Sequence, residues 1–333
     1  MNLQNKSAVI SGIGTYVPKQ CVRNDELPSH LETNDEWIRT RTGIEQRYLA
    51  GPDENSSDMG VAAAEEALKH AKVGREDIDL LVVATMSPDY PFPATACIIQ
   101  SKLGLKTIGS FDVHAACSGF IYALEVTSRL LQAGHYRHAL LIGSEKMSAL
   151  LDWHDRSTCV LFGDGAGAAV LSSVNEPHVG VIDNLLCADG ARPELLYCPT
   201  GGVANPVDEH QLAMRNQYLK MNGKEIFKVA VRLMAEACDA ILERNNYTYE
   251  DVHWVVPHQA NTRIIESLAK YAKIPSEKLL INIDRYANTS AASIPLTMAE
   301  AVEEKKIQKG DLILLVAFGG GLTWATSLIK WQL

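Results

Sequence analysis

Three residues of this chain have the types and settings needed to attack and polarise a carbonyl group: Cys117, His258 and Asn288. Cys117 stands in Val113-His114-Ala115-Ala116-Cys117-Ser118-Gly119-Phe120, where a strand-like run gives way to a helical one. A cysteine at a helix start faces unpaired N–H groups and the positive end of the helix dipole, which is expected to lower its pKa toward the nucleophilic thiolate. Ala115, Ala116 and Gly119 leave room for a substrate carbonyl to reach the sulfur. His258 ends the run Trp254-Val255-Val256-Pro257-His258, so its imidazole is expected at the C-terminal edge of a strand, where open α/β sheets bind ligands. Asn288, in Ala287-Asn288-Thr289-Ser290-Ala291-Ala292-Ser293, reads on its own as a helix cap. The glycines of Phe318-Gly319-Gly320-Gly321 allow close backbone approach and could offer N–H groups to an oxyanion. Gly163-Asp164-Gly165-Ala166-Gly167 lacks the Lys-Ser/Thr of a phosphate loop and runs into an apolar stretch, so it reads as a tight turn. His114, three residues before Cys117, is either a perturber of the thiol or structural, and the other six cysteines read as inert.

The elements that must position these residues come in two copies. Ala116-Cys117-Ser118 is matched 171 positions later by Ala287-Asn288-Thr289. Glu76-Asp77-Ile78-Asp79 before an apolar run is matched by Glu250-Asp251-Val252-His253, and Ile98-Ile99-Gln100-Ser101 by Ile264-Ile265-Glu266-Ser267. Phe162-Gly163-Asp164-Gly165 is matched by Phe318-Gly319-Gly320-Gly321. Similar fragments in the same order imply one duplicated αβ unit, with the chemistry gathered at the seam. Periodicity predicts strands at 8–11, 80–84, 139–142, 160–162, 168–171, 254–256, 279–283 and 312–317. It predicts helices at 57–71, 118–133, 224–244, 262–272 and 294–305. The polar stretch 172–178 is the expected boundary, giving halves 1–174 and 175–333. An irregular region at 188–216 has the length of a binding segment.

Composition narrows the class. With 333 residues, 47% hydrophobic and 21% charged, the chain can bury a large core. Neither the opening Met1–Lys6 stretch nor any other window holds the ~18 apolar residues of a membrane span. Seven scattered cysteines without Cys-x2-Cys spacing predict a reducing cytoplasm, no disulfide framework and no metal. A net charge of −9 argues against nucleic acid as a general partner.

Ordered motifs spread along nearly the whole chain give it a family likeness. Asp35-Glu36-Trp37-Ile38, Arg41-Thr42-Gly43-Ile44, Ala115-Ala116-Cys117-Ser118-Gly119-Phe120, Phe162-Gly163-Asp164-Gly165-Ala166-Gly167, Pro257-His258-Gln259-Ala260-Asn261, Ala287-Asn288-Thr289-Ser290 and Phe318-Gly319-Gly320-Gly321 follow one another. Together they resemble the β-ketoacyl-acyl carrier protein synthase III family of the thiolase superfamily. The resemblance implies an α/β fold with five layers, αβαβα, built from two similar halves and usually dimeric. Asn288 distinguishes the chain from elongating synthases with a second His and from thiolases with a second catalytic Cys.

Carried over by position, the resemblance implies that Cys117 is acylated by a short acyl-CoA such as acetyl-CoA. His258 and Asn288 would then polarise the thioester carbonyl of malonyl-acyl carrier protein as CO2 departs. Backbone N–H groups of Cys117 and Gly320 would form the oxyanion hole. CoA would be a substrate, with no cofactor: Trp37 and Arg156 would sandwich its adenine, Arg41 meet its phosphates, and Asn261 and Gly223 its pantetheine arm. Phe92 would cross a homodimer interface to line the partner's acyl pocket. Lys228, Arg232, Arg263 and Lys270 would dock the acidic carrier protein.

Two other readings remain at this stage. The Cys117–His258 separation of 141 residues imitates a papain-like protease, but the Cys-Gly-Ser-Cys-Trp context is missing and the duplication is unexplained by it. A synthase III-like enzyme of a specialised pathway, taking a longer or different acyl-CoA, would carry the same motifs.

Overall fold

The computed structural model describes residues 6–333; Met1–Asn5 of the opening segment lie outside the described residues. The strands in chain order are β1 (Ser7–Tyr16), β2 (Gln20–Arg23), β3 (Gln46–Leu49), β4 (Leu80–Ala84), β5 (Gly109–Val113), β6 (His138–Glu145) and β7 (Gly165–Val174). They continue with β8 (Gly180–Ala188), β9 (Leu196–Tyr197), β10 (Lys220–Met221), β11 (Trp254–Pro257), β12 (Leu312–Gly319) and β13 (Thr323–Lys330). The helices are α1 (Asp35–Thr42), α2 (Ser56–Ala71), α3 (Thr95–Lys102), α4 (Gly119–Gln132) and α5 (Arg156–Cys159). After these come α6 (Glu209–Ala213), α7 (Gly223–Arg244), α8 (Thr262–Ala272), α9 (Ile283–Tyr286) and α10 (Ser293–Glu303).

Two sheets carry the architecture. One has the order β1-β7-β6-β4-β5, the other β11-β12-β13-β8. Read from the β8 side, the second repeats the first: β8 stands for β1, β13 for β7, β12 for β6 and β11 for β4. The directions repeat too, since β4 runs parallel to β6 as β11 does to β12, while β6–β7 and β12–β13 are antiparallel. The first sheet uses residues 7–174 and the second begins at Gly180.

Side-chain alternation along the strands divides the core into layers. Leu80, Val82 and Ala84 join Ile313, Leu315 and Ala317 in one cluster with α4 and α10 between the sheets. Their neighbours Leu81 and Val83 turn to α2 and α3 on one outer face. Leu312, Leu314 and Val316 turn to α7 and α8 on the other. Both faces of these strands are covered, which is why they are continuous apolar runs rather than alternating ones. The result is the five-layered αβαβα arrangement, with α4 and α10 as its middle layer.

Two expected strands are absent. Residues 160–162 follow the short α5 and contribute a single bridge, Phe162 to Asn288. Residues 279–283 make one bridge to β11, at Val255–Leu279, and pass into α9. Leu279 occupies the place of β5 in the second copy, so the repeat is complete but its fifth strand is vestigial. The structure adds the antiparallel pair β2–β3, β5, β8, β13, α1 and α3, which periodicity missed. Within 188–216 only β9, α6 and a short 3-10 turn are regular.

Candidate active site

Cys117, His258 and Asn288 line one cavity of about 430 Å3, bounded otherwise mostly by apolar side chains. Each sits just past the carboxyl end of a core strand or its equivalent. Cys117 lies in the 3-10 turn Ala116–Ser118 that follows β5 and leads into α4. Asn288 precedes the matching 3-10 turn Ser290–Ala292 that leads into α10. The preceding residues Ala116 and Ala287 have φ of +46° and +57°, left-handed conformations that L-residues seldom adopt. Strain of this kind persists where surrounding contacts over-determine the backbone, and here it aims one functional side chain from each copy into the cavity.

The glycine turn between β12 and β13 closes against the nucleophile. A Cβ on Gly319 would lie 2.7 Å from Cys117 N, so only glycine lets the two backbones meet. Thr323 Oγ1 donates to Ala115 O and Gly320 O, both at 3.1 Å, and Ser118 Oγ donates to Thr323 O at 3.1 Å. The turns that carry Cys117 and Gly320 are thereby tied together.

The polar ends of His258 and Asn288 are oriented by neighbours. His258 N–H donates to Val316 O at 2.7 Å, fixing the residue to the second sheet. Its Nδ1 lies 2.6 Å from Ser293 Oγ, which also accepts Gln259 N–H at 3.3 Å. We assign the Ser293 proton to Nδ1, which places the ring proton on Nε2 as a donor. Burial pushes the His258 pKa down to about 3, so this donor is a neutral imidazole at physiological pH. Asn288 Oδ1 accepts Ser290 N–H at 2.8 Å, which leaves its Nδ2 as the group free to donate.

The thiol departs from the expectation set by its helix-start position. Cys117 is only 6% exposed, and burial pushes its pKa up to about 12. A hydrogen bond with Ser290 pulls the other way, and the charge of Glu145 adds to the rise. The desolvation of an enclosed apolar pocket outweighs the local N–H field. Cys117 therefore rests as a thiol and must lose its proton as it attacks.

The expected CoA-binding residues line the same cavity: Trp37, Arg41, Arg156, Gly223 and Asn261. Trp37 is fixed by Asn34, whose side chain accepts its N–H at the start of α1. Asn261 Oδ1 caps α8 by accepting Arg263 N–H at 2.9 Å, and Gly223 opens α7. The guanidinium carbons of Arg41 and Arg156 stand 4.5 and 4.8 Å from the Trp37 ring centroid. At that spacing both guanidinium groups stack on the Trp37 ring, with no ring-wide gap between Trp37 and Arg156. Leu196, from the irregular 188–216 region, also lines the cavity.

Phe92 does not line the cavity of its own chain and is 85% exposed. Lys228, Arg232, Arg263 and Lys270 are exposed on α7 and α8. Lys228 and Arg232 are engaged by Glu225 and Glu236 along the same helix. Arg263 lines the cavity and donates to Thr40 O. His114 is exposed. Ser290, Ser293, Thr323 and Glu145 were given no role by the sequence reading. The Ser-rich run after Asn288 was a signal for two of them; Glu145, at the end of an apolar strand, gave none. Among the described residues no helix is long and apolar enough to cross a membrane, and no group of three or more His, Cys, Asp or Glu is placed to hold a metal.

Comparison with known proteins accounts for this geometry. Residues 111–190, which hold Cys117, match the family model 3-oxoacyl-[acyl-carrier-protein] synthase III. Residues 242–331, which hold His258, Asn288 and Gly320, match the C-terminal model of the same family. The chain is 46% identical over 98% of its length and 98% of the relative's to the β-ketoacyl-[acyl-carrier-protein] synthase III of Caldanaerobacter subterraneus. It is similar to the crystal structure of the synthase III from Aquifex aeolicus, at 45% identity and a TM-score of 0.89 over 97% of this chain and 100% of that one. It is also similar to the priming β-ketosynthase of the R1128 polyketide pathway, at 34% identity and a TM-score of 0.91 over 99% and 97% of the two chains. The protease reading falls with these matches. The chain belongs to the 3-oxoacyl-[acyl-carrier-protein] synthase III family, acyltransferases of the thiolase fold.

Proposed function

We propose that this enzyme takes a short acyl group, most simply acetyl, from acyl-CoA onto Cys117 and condenses it with malonyl-acyl carrier protein to initiate fatty-acid synthesis. The observation that carries this reading is the convergence of a nucleophile and two aimed donors, Cys117, His258 Nε2 and Asn288 Nδ2, in one largely apolar cavity. CoA lies along the cavity with its adenine toward Trp37, Arg41 and Arg156 and its pantetheine arm past Gly223 and Asn261. Cys117 attacks the thioester, its oxyanion is met by the N–H groups of Cys117 and Gly320, and CoA leaves. Malonyl-carrier protein then presents its thioester carbonyl to His258 and Asn288. Loss of CO2 places negative charge on that oxygen, where neutral N–H donors in a dry site are most effective. The resulting carbanion attacks the acyl-Cys117 carbonyl, giving β-ketoacyl-carrier protein. No cofactor takes part.

The exposed set Lys228, Arg232, Arg263 and Lys270 on α7 and α8, of which Arg263 lines this cavity, suits an acidic carrier protein. The exposure of Phe92 supports a homodimer in which it reaches the partner's acyl pocket, and the halves 1–174 and 175–333 meet at the site. The cytoplasm is the compartment in which seven free cysteines stay reduced. Incubation with acetyl-CoA followed by peptide mass spectrometry tests the reading: an acetyl adduct on Cys117 supports it, and no adduct with any short acyl-CoA overturns it. The likeness to a polyketide priming ketosynthase favours a second reading, priming of a specialised pathway with another acyl-CoA. A preference for octanoyl- over acetyl-CoA would select it.

A further inference from the structure

In each sheet a central strand ends against the other copy's functional turn. β6 and β12 are both eight residues long and hold the same place in the repeat, so Glu145 at the end of β6 corresponds to Gly319 at the end of β12. Gly319 lies against Cys117 and Ser118, the turn of the first copy. β6 approaches the turn of the second copy as closely: a Cβ on Gly143 would lie 2.7 Å from Ala291 O. Two residues on, Glu145 reaches the same turn with a carboxylate that the mechanism above leaves unused.

Glu145 has 0% exposure. Its Oε1 accepts Ser290 Oγ at 2.9 Å and, at 3.4 Å, Ala291 N–H. Its Oε2 accepts Ser87 Oγ at 2.6 Å, Thr85 Oγ1 at 3.2 Å, and the N–H groups of Met86 and Ser87 at 3.1 and 3.2 Å. One carboxylate therefore ties the loop after β4 to the residues that follow Asn288. The backbone of Asn288 is fixed separately, its N–H by Leu161 O at 3.0 Å and its carbonyl by Gly163 N–H at 3.1 Å. The amide at the tip of its side chain is oriented by Ser290 N–H, 2.8 Å from Oδ1. Ser290 itself is left-handed, φ +51°, and its hydroxyl also lies 3.3 Å from Met86 Sδ.

We propose that Glu145 is a positioning residue for decarboxylation: by holding Ser290 and Ala291, it sets the Ser290 N–H that aims the Asn288 amide at the malonyl thioester. This inference rests on the reading of Asn288 as a donor to that carbonyl. A left-handed serine persists only where surrounding contacts over-determine it, and Oε1 supplies two, one to the side chain and one to the next N–H. An ionised carboxylate is acceptor-only, and six donors surround it, which fixes its plane. An amide cannot satisfy the same set. In Glu145→Gln the four donors at Oε2 retain the oxygen, so the NH2 falls on the Ser290 side and meets Ala291 N–H donor to donor. The substitution keeps the volume and the ties to Thr85, Met86 and Ser87, and breaks the tie to the Asn288 turn.

The test measures two steps at about pH 8, above the value of about 7 to which burial raises the Glu145 carboxyl, so that the ionised form is compared. Intact-protein mass spectrometry follows single-turnover acetylation of Cys117 by acetyl-CoA; labelled CO2 follows decarboxylation of malonyl-carrier protein by the pre-acetylated enzyme. Glu145→Gln should acetylate at no less than about half the wild-type rate, since its charge opposes a thiolate on Cys117 and its removal does not. Its CO2 release should fall about tenfold or more. In an Asn288→Ala background the same substitution should slow CO2 release by no more than about twofold further, because the donor it positions is already gone. Wild-type CO2 release by Glu145→Gln, equal slowing of both steps, or the full loss repeated in the Asn288→Ala background would each overturn the proposal, since a general structural defect acts on both steps and in both backgrounds. Should Glu145→Gln fail to fold, Ser290→Ala, which removes only the hydroxyl, is read by the same two rates and the same cycle. Normal CO2 release by Asn288→Ala alone would overturn the donor reading and this inference with it; a defective Asn288→Ala with an unaffected Glu145→Gln overturns the inference alone.

Discussion

Replacing Ser293 by Ala isolates the orientation of His258 from every other feature of the site. The change removes the hydroxyl 2.6 Å from Nδ1 and 3.3 Å from Gln259 N, and nothing that faces the sulfur. Ser293 is the first residue of α10, and Ala is a better helix former, so the helix itself is not weakened. The imidazole is buried, so no bulk water replaces the lost donor. A buried polar atom left without its partner is worth about 1–3 kcal/mol. Here that loss falls on the Nε2–H donor, which is fixed only while Nδ1 has a proton presented to it. The donor matters where negative charge develops, in decarboxylation, and not in thiol attack. The variant should therefore acetylate Cys117 within about twofold of wild type but release CO2 from malonyl-carrier protein about 10- to 100-fold more slowly. Mass spectrometry reads the first step and labelled CO2 the second. Normal decarboxylation, or equal slowing of both steps, would refute the assignment of the ring's proton.

The remaining predictions test other parts of the site. His258→Ala and Asn288→Ala should each acylate measurably but lose about 10²–10³ in decarboxylation rate; normal CO2 release with slow acylation would reverse their roles. Trp37→Ala and Arg156→Ala should raise KM for acyl-CoA with little change in kcat, because the proposed clamp holds the CoA nucleotide rather than the thioester and contributes uniform binding; an unchanged KM refutes it. For acyl-CoA chains from acetyl to octanoyl, kcat/KM should fall, and Phe92→Ala should flatten the series, with each methylene worth about 1–3 kcal/mol at most. Acid should destabilise the fold through His258: the unfolded imidazole binds a proton near the usual 6.5 and the buried one only near 3. Stability is thus complete above the unfolded value and falls as pH drops toward 3, by up to about 1.4 kcal/mol per unit. Urea midpoints should show that slope, and His258→Gln should lessen it.

What the sequence disclosed follows from which properties are local. The apolar runs of β4, β6 and β12 are buried on both faces, and the long helices α2, α7 and α8 have clear periods, so these elements were visible. The four repeated fragments mark equivalent points of the two sheets, and the motifs around Cys117, His258 and Asn288 found three groups that the fold brings to one cavity. Short elements stabilised by tertiary contacts were not visible. The vestigial strand at Leu279 holds one bridge, and α1 and α3 are too short for a period to emerge. The low thiol pKa expected for Cys117 failed for a related reason. A helix start can be read from neighbouring residues, but desolvation depends on side chains from α10 and the second sheet, far away in sequence. Glu145 stayed hidden because it ends an apolar strand, and only the fold brings it against Ser290 and Ala291 from the other half.

The two copies also show how one backbone device came to carry different chemistry. Ala116 and Ala287 adopt positive φ at equivalent points, each between the fifth position of a sheet and a central helix. Such conformations cost about 1–3 kcal/mol each, and both are retained although the side chains that follow differ. What is common to the copies is the direction in which the next residue points. In the first copy that residue is a sulfur nucleophile; in the second it is an amide whose oxygen is already taken by Ser290 N–H. A thiol in the second position would supply no fixed donor, and an amide in the first could not be acylated. Exchanging the pair, Cys117→Asn with Asn288→Cys, keeps the residue types and the backbone and reverses only their places. Because the backbone N–H groups proposed as the oxyanion hole stay at residues 117 and 320, the swapped enzyme should form no more than a trace of acyl adduct at position 288 and no condensed product. Substantial condensation by that variant would show that the cavity is functionally symmetric, contrary to the one-sided placement of His258 and of the proposed oxyanion N–H groups.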